Sequence, residues 1–420
     1  MRTLILGLFA LHFIFLAYLN NVYLAGLPVR SFLILLLGGL IFLQDHTVLA
    51  RLNPVNLVYA LLAIIGLIIS ILNDVPLADI FNGVLKLLQS YLLILAAYFI
   101  MEQYGFRTLA IVFIGIALPS ALIGILQGIN VEAAWQWHRN LMDIQNKELS
   151  DEILAQITEV LMRPPGLALY AIPQTYMLLA AIILTLYAVL RRPHDQPIQL
   201  LGAGVLLILA GGIFASETRS AMGAALVMPA IIYLRLFPTK VIPLGILLLI
   251  AGTIAFLSFG GHEADVDSRL VSLDDASAIG RSTLYKYGTE LFLQQPFGYG
   301  FNFDTVEYAT EYFVNEHNLF RYEPYEKAQY IVPVHNSILN LIHTYGFAGL
   351  LLLGYYVFRL VGGSWYRAVF IIGAFLNSLF HNAGILSNDL FMDIVLAVML
   401  FETNRQQTMT PISQGAMQTA

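Results

Sequence analysis

Long apolar runs, separated by shorter polar segments, follow one another along most of the chain. Several runs exceed 18 residues, which is close to the length that an α-helix needs to cross a bilayer. The pattern predicts an all-α polytopic membrane protein of one integral membrane domain, 1–420, with about twelve transmembrane helices. Pro28 and Arg30 interrupt the second predicted span. The spans are 3–20, 24–43, 55–72, 82–101, 108–128, 168–190, 199–215, 221–236, 241–258, 335–358, 365–381 and 386–402.

Two long polar segments, 130–166 and 260–334, lie between predicted spans. With the N-terminus inside, both fall on the outer side of the membrane, and 403–420 form an inner polar tail. The second segment contains eight tyrosines and six phenylalanines. Such rings suit two roles, the stacking of sugar rings and the anchoring of short amphipathic helices at the membrane surface. The periodicity of 281–295 predicts one surface helix, which Pro296 ends.

Charge separates the two predicted sides. Only 11% of the residues are charged and 58% are hydrophobic, whereas soluble domains carry about 25% charged residues. The short inner segments hold ten basic residues, whereas the short outer loops hold chiefly Arg30 and Arg219. This positive-inside pattern predicts both termini in the cytoplasm. The long outer segments hold 18 of the 27 acidic residues, so bulk charge does not attract nucleic acid there. The absence of cysteine excludes disulfides and thiolate metal sites.

A polar pair opens the most informative stretch of the sequence. His335 and Asn336 are followed by nine residues, Gly346, two residues and Gly349. In a continuous helix, His335 and the two glycines fall within about 40° of one line. We therefore expect the glycines to let another helix approach closely and hold the histidine rigidly.

Two further patterns contain arginines in matching settings. The segment 216–221, Ser-Glu-Thr-Arg-Ser-Ala, places Arg219 in a short outer turn. Arg281 precedes an amphipathic stretch that ends at 296–300, Pro-Phe-Gly-Tyr-Gly. With the histidine motif, this combination resembles the superfamily of O-antigen ligases and O-antigen polymerases, which are bacterial envelope glycosyltransferases. The resemblance covers about residues 160–350.

The resemblance implies a fold, an activity and roles for named residues. The enzyme would transfer a glycan from an undecaprenyl-diphosphate carrier to a hydroxyl acceptor on the periplasmic face of the inner membrane, without metal or cofactor. In ligases the acceptor is a sugar of the lipid A core, and in polymerases it is a second carrier-linked glycan. By this resemblance, His335 matches the essential histidine. Arg219 and Arg281 match the arginines assigned to the diphosphate.

The chemistry of these side chains suits such a transfer. A histidine beside a helix N-terminus is favoured in its neutral form, which can accept a proton from a hydroxyl. The arginine fork matches phosphate oxygens bidentately, so Arg219 and Arg281 are candidate diphosphate ligands, with Arg163 a weaker third. The alternatives are a capping or headgroup role for His335, and an ion pair, snorkelling or loop-structural role for the arginines.

Four other features are weaker candidates. Lys86 is costly within a span and could serve the carrier diphosphate if it lies in the outer third of its helix. His381, which with Asn382 repeats the His-Asn pair, is predicted to be structural, and His343 a packed polar residue. The sequence 265–267, Asp-Val-Asp, resembles a metal motif of soluble transferases, but alone in an acidic loop it indicates a solvated segment.

The alternatives differ in class. A ligase is favoured over a polymerase because 130–166 holds only three basic residues, whereas polymerases often have arginine-rich patterns in both major outer loops. The rival class is a transporter or lipid flippase, for which we expect ionisable residues at the bilayer midplane, broken helices and inverted repeats. Here the candidate residues gather at one face, which favours the enzyme.

Overall fold

The computed structural model describes residues 2–145, 163–192, 195–236, 276–314 and 334–413, with the backbone alone for 276–283, 310–314 and 406–413. This part of the chain is mostly helical. A two-residue hairpin, β1 (Tyr23–Leu24) and β2 (Leu27–Pro28), is its one sheet. The helices are α1 (Arg2–Tyr18), α2 (Val29–Gln44), α3 (Val48–Arg51), α4 (Asn53–Leu72), α5 (Leu77–Tyr104), α6 (Phe106–Gly128), α7 (Glu132–Gln145), α8 (Ala171–Arg191), α9 (Gln196–Ala215), α10 (Arg219–Leu236), α11 (Ala276–Gln294), α12 (Thr305–Val314), α13 (Ser337–Val361), α14 (Trp365–Ser378) and α15 (Leu390–Ser413).

Within these ranges, seven helices are long and apolar enough to cross a membrane, namely α4, α5, α6, α8, α9, α10 and α13. The apolar helices α1 and α2 are shorter, with 17 and 16 residues. The result agrees with an all-α membrane protein. The number of twelve spans stays a prediction, because the span at 241–258 lies outside the described residues.

The second helix begins later than predicted. The span was expected from residue 24, but α2 starts at Val29, directly after Pro28. Residues 23–28 instead form the small hairpin, in which Ala25 and Gly26 adopt positive φ angles of 50° and 80°. Proline lacks a backbone donor and disfavours the helical conformation of the residue before it, so the helix cannot extend upstream through Pro28.

The helices form one bundle whose two ends differ. At one end α4, α6, α9 and α14 finish and α5, α8, α10 and α13 begin; we call it the loop end. There Asn73 donates to the carbonyl of Gly298 at 3.2 Å. At the other end, which we call the arginine end, Arg191 and Glu402 approach to 3.5 Å. All the candidate site residues that the structure describes lie at or near the loop end.

Three helices form the centre of the bundle. Long stretches of α5, α8 and α15 are almost wholly buried, including Leu93–Met101 and Leu178–Leu184. Each packs against at least two other helices. Burial of apolar side chains against neighbouring helices stabilises the bundle through close packing, since lipid is as apolar as the side chains. This core holds the helix ends of the loop end in fixed positions.

The helix of the histidine motif is kinked. Gly346 has φ 61° and ψ −155°, so α13 consists of two helical parts. The prediction of one continuous helical line from His335 to Gly349 is therefore wrong. The segment 296–300 enters the kink: Phe347 N–H donates to the Pro296 carbonyl at 2.9 Å, and Tyr299 N–H donates to the His343 carbonyl at 2.6 Å. Backbone groups freed by the kink are thus bonded again.

The glycines of the motif serve this kink and not a helix–helix contact. A Cβ at Gly346 would collide with the backbone of Phe297, and one at Gly298 would lie 2.6 Å from the Gly346 nitrogen. Gly349 faces its own helix, since a Cβ there would lie 2.8 Å from the Tyr345 Cβ. Another part of the chain does approach closely, but it is the turn and loop segment 296–300 and not a helix.

The last two helices also differ from the predicted spans. α14 ends at Ser378 and α15 begins at Leu390, whereas the spans were expected to end at residue 381 and to begin at residue 386. We call residues 379–389 the connection. α15 continues to Ser413, through much of the predicted polar tail.

Candidate functional site

Three helices, α8, α11 and α13, contact the connection through hydroxyl or amide side chains. Asn340 on α13 donates to the carbonyl of Asn382 at 3.2 Å, and Tyr176 on α8 donates to that of Ala383 at 2.8 Å. Tyr285 on α11 lies 2.5 Å from the Leu379 carbonyl oxygen. Helices from distant parts of the sequence are therefore held around one short segment.

The connection is itself tightly folded. Leu386 and Asn388 have φ angles of 59° and 62°, which is rare for residues other than glycine and notable for leucine. Gly384 and Ser387 exchange backbone hydrogen bonds of 3.1 and 2.9 Å. Strained backbone of this kind concentrates at functional sites.

His335 lies immediately before α13. Asn336 caps that helix, because its side-chain oxygen accepts from the backbone N–H groups of Ile338 and Leu339, each at 3.0 Å. The phenol of Tyr285 lies 3.3 Å from the His335 carbonyl oxygen. The capping role thus belongs to Asn336, and the backbone of His335 is held at the helix N-terminus with its side chain half-buried.

Arg219 is the first residue of α10 and follows a tight turn. Glu217 adopts φ 52°, and the buried Ser216 donates to the Ile213 carbonyl at 2.6 Å. Ser220, the next residue, lies 3.1 Å from Asn377 Oδ1 and 3.0 Å from His381 Nε2. Arg219 is therefore an exposed side chain on a fixed backbone.

His381 lies close to the candidate residue Arg219, which the sequence did not reveal. It was predicted to be structural, and it is indeed buried, with 3% of its surface exposed. Its ring packs edge-on against Tyr176 at a centroid distance of 5.8 Å. Its contact with Ser220 places it one residue from Arg219. The only signal in the sequence was the repeated His-Asn pair.

The predicted surface helix is longer than expected and packs on the protein. α11 runs from Ala276 to Gln294, and its apolar residues Leu284, Tyr287 and Leu291 are buried in a small cluster with Tyr299 and Val334. It also contacts α13. The backbone of Arg281 lies on this helix, one turn before Tyr285, and the Arg281 side chain is outside the described residues.

Arg163 opens a segment that packs against α6. Gly166 N–H donates to Gln127 Oε1 at 2.8 Å, and Leu167 N–H donates to Ser120 Oγ at 2.9 Å. A Cβ added at Gly128 would lie 3.1 Å from Ala215 Cβ and 3.9 Å from Pro164 Cγ. The backbone beside Arg163 therefore approaches the end of α9, four residues before Arg219.

A cavity of about 270 Å³ lies between α5, α13 and the connection. Sites that hold whole small molecules are about 300–1,000 Å³, so this space suits one ring or headgroup. Its lining mixes aromatic rings with amides, among them Phe301, Tyr345, Asn340, Asn382 and Asn388.

Lys86 is the one lining residue with a permanent charge. It is the tenth residue of the 28-residue α5, at the edge of the third of that helix nearest the loop end. Its Nζ donates to Asn302 Oδ1 at 2.7 Å. The role of Lys86 as a diphosphate ligand stays a prediction. The buried His343 also lines the cavity, with its Nε2 2.7 Å from the Gly288 carbonyl oxygen.

Asp389 ends the connection as a buried carboxyl. Its Oδ1 accepts from the Met392 N–H at 3.0 Å, and only 6% of the residue is exposed. Burial raises the pKa of Asp389 to about 7, because a charge is costly away from water, although backbone N–H groups of Phe391 and Met392 oppose the effect. The charge of the connection thus changes near neutral pH.

In the described ranges, no three histidine, aspartate or glutamate residues are placed to hold a metal ion. The Asp-Val-Asp sequence at 265–267 lies outside those ranges.

Comparison with known proteins gives one family. Residues 204–354 match a family model described as O-antigen ligase. The match confirms, for that segment, the resemblance based on Arg219, Arg281 and His335. Lys86, Arg163 and His381 lie outside the matched segment. No curated protein and no solved structure matches the chain.

Proposed function

We propose that this O-antigen ligase-like protein transfers a glycan from an undecaprenyl-diphosphate carrier to a hydroxyl group of the lipid A core. One observation carries the proposal. The backbone of His335 and the start of α10 at Arg219 both contact the connection, the first through Tyr285 and the second through Ser220 and His381. A base and an anion-binding group are thus anchored to one short segment.

The charge distribution supports a periplasmic site. Arg51, Arg107, Arg191, Arg235 and Arg359 lie at or near the arginine end, and short basic segments face the cytoplasm in membrane proteins. That orientation puts both termini in the cytoplasm. The loop end, with His335 and Arg219, then faces the periplasm of the bacterial inner membrane.

The reaction needs a proton acceptor and a stabilised leaving group. The acceptor hydroxyl attacks the anomeric carbon, its proton passes to the His335 imidazole, and the bond from that carbon to the diphosphate oxygen breaks. The diphosphate leaves with the bonding electron pair. In our proposal His335 acts as the general base, which typically contributes about 10²–10⁴ in rate.

The leaving diphosphate needs positive charge around it. We assign this role to Arg219 and Arg281, with Arg163 as a further ligand, and assign Asn336 and Gly346 to support of the His335 segment. Gly349 is assigned to support of α13, because its lack of a side chain leaves room for Tyr345 of the same helix. Lys86 adds a cation beside the cavity. Each hydrogen bond from such a cation to phosphate contributes about 1.5–3 kcal/mol.

The arrangement supports an enzyme over a transporter. A transporter places its ionisable residues near the bilayer midplane. Here the described candidates gather at the loop end, around the connection and the cavity. A path for a glycan across the bundle would have to pass α5, α8 and α15, whose central residues are buried.

A transfer assay with the full chain tests the proposal. The protein in vesicles receives a purified carrier-linked glycan and, in separate arms, lipid A core or a second carrier-linked glycan. Transfer to lipid A core supports a ligase, and chain extension on the second carrier a polymerase. We expect His335→Ala to lower turnover at least 100-fold, with His46→Ala, in the α2–α3 loop at the arginine end, as control. More than half of wild-type turnover in His335→Ala would reject the base.

A further inference from the structure

We propose that His381 is a positioning residue that fixes Arg219 relative to His335. The inference rests on the proposed function. It concerns how two groups far apart in sequence are kept in register through the connection. His381 contacts neither substrate nor the reacting atoms in this scheme, and it acts through Ser220.

Two short links meet in the connection. On one side, Tyr285 lies between the carbonyl oxygens of Leu379 and His335, at 2.5 and 3.3 Å from its hydroxyl. On the other side, His381, two residues after Leu379, lies 3.0 Å from the hydroxyl of Ser220. Arg219 is the next residue. The His335 backbone, through Tyr285, and the start of α10, through Ser220, thus both lie against the connection within three residues of each other.

The hydrogen bonds at Ser220 favour one tautomer of His381. The serine hydroxyl has one proton, and it donates to Asn377 Oδ1 at 3.1 Å. It then has only acceptor capacity left for His381, so His381 Nε2 carries a hydrogen and donates to Ser220 Oγ. A donor at this atom is thus what the site requires, and imidazole basicity is not.

Packing fixes the ring that supplies this donor. His381 is 3% exposed, and Tyr176 packs edge-on against its ring. Tyr176 itself donates to Ala383, two residues after His381, at 2.8 Å. The ring, its packing partner and the local backbone therefore form one unit, as expected of a group that positions another.

The donor assignment gives a sharp choice of variants. His381→Gln keeps an N–H donor at similar reach, whereas His381→Phe keeps an aromatic ring and removes the donor. Ser220→Ala removes the hydroxyl from the other side. His138→Phe is the matched control, since His138 is also a buried histidine, on α7, outside the proposed machinery.

Transfer by the full chain in vesicles is the measurement. We expect His381→Phe and Ser220→Ala each to lower kcat about tenfold, with little change in KM for the acceptor. The double variant should lose no more than either single variant, because one interaction is removed twice. His381→Gln should keep more than half of wild-type kcat, as should His138→Phe.

An Arg219→Ala background separates positioning from a merely structural role. If His381 and Ser220 act through Arg219, Ser220→Ala should cause no further loss in that background. The same tenfold loss there would overturn the inference, and so would wild-type kcat in both His381→Phe and Ser220→Ala. If His381→Phe fails to fold, as judged by thermal unfolding in detergent, the two Ser220→Ala arms decide alone.

The proposed function has a separate test. If His335→Ala and Arg219→Ala both keep wild-type transfer, the proposed function is rejected.

Discussion

The two ends of the bundle treat their basic side chains differently. At the arginine end, Arg51 lies 3.0 Å from Glu102 and is also paired with Asp45. Arg191 and Arg192 have carboxylate partners as well, at 3.5 and 3.7 Å. At the loop end, Arg139 on α7 is paired with Glu132, but no carboxylate oxygen of the described residues lies within 4.0 Å of Arg30 or Lys86.

The difference teaches where charge is available for a ligand. Lys86 bonds to the neutral Asn302, which in turn donates to Asp79 at 2.8 Å, so an amide separates the lysine from that carboxylate. At the arginine end, carboxylates of the protein neutralise these arginines, which lie at helix ends. Cations that are held near a cavity without a carboxylate partner are available to pair with an anion, and such a pair favours their charged form.

Among the variants that test this difference between the two ends, the largest effect is expected for a pair of arginines. Arg219→Ala should lower transfer about 10- to 100-fold, because hydrogen bonds to charged groups contribute about 1.5–3 kcal/mol. Arg192→Ala at the arginine end should leave transfer within about twofold, since exposed ion pairs contribute little. Initial rates with saturating acceptor make the comparison. Equal losses in the two variants would remove the functional distinction between the ends.

The next effect compares two glycines on one helix. Gly346→Ala should lower transfer about tenfold and reduce the thermal unfolding temperature. The φ and ψ angles of 61° and −155° lie in a region essentially restricted to glycine, which costs about 1–3 kcal/mol, and the new Cβ meets the backbone of Phe297. Gly354→Ala, with no atom within 4 Å of its Cβ, should be neutral or stabilising. A tolerant Gly346 would show that the kink is not needed at the loop end.

These two glycines also show how far the sequence could be interpreted. The periodic apolar runs predicted most of the described helices, since burial and lipid exposure follow helical spacing. The motif correctly marked Gly346, but the periodicity suggested a continuous helix. The backbone of 296–300 had to be seen in the kink before the glycine's role was evident, because that contact links residues about 50 positions apart.

The sequence offered candidate residues for a site, but it did not show how they assemble. His335, Arg219 and Arg281 stood in recognisable local patterns, and their chemistry suggested roles. The connection had no such pattern, because its contacts are made largely by backbone carbonyl groups, which every residue has. His381 was therefore placed among structural residues, since a lone buried histidine gives no sign of the serine it contacts.

A smaller effect is expected at Lys86. Lys86→Met should lower transfer several-fold and raise the KM for the donor, because one cation beside the cavity is lost while its apolar stem is kept. Lys286→Met, on the exposed side of α11, offers the same chemical change as control. The variant would count against an anion at this cavity if donor KM were unchanged.

The smallest effect concerns the pH dependence of stability. Because the pKa of Asp389 is raised to about 7 in the folded protein and is about 3.9 when unfolded, the unfolded state releases the proton first as pH rises. Its contribution to stability is fully present below about pH 4 and is lost as pH rises to about 7.

The variant Asp389→Asn tests this contribution, because it keeps the acceptor for Met392 N–H and cannot ionise. We therefore expect its thermal unfolding temperature in detergent to change less than that of the wild type between pH 5 and 8. Asp195→Asn, at the arginine end, should retain the wild-type slope; a slope equally reduced there would assign the pH dependence to bulk charge and not to the connection.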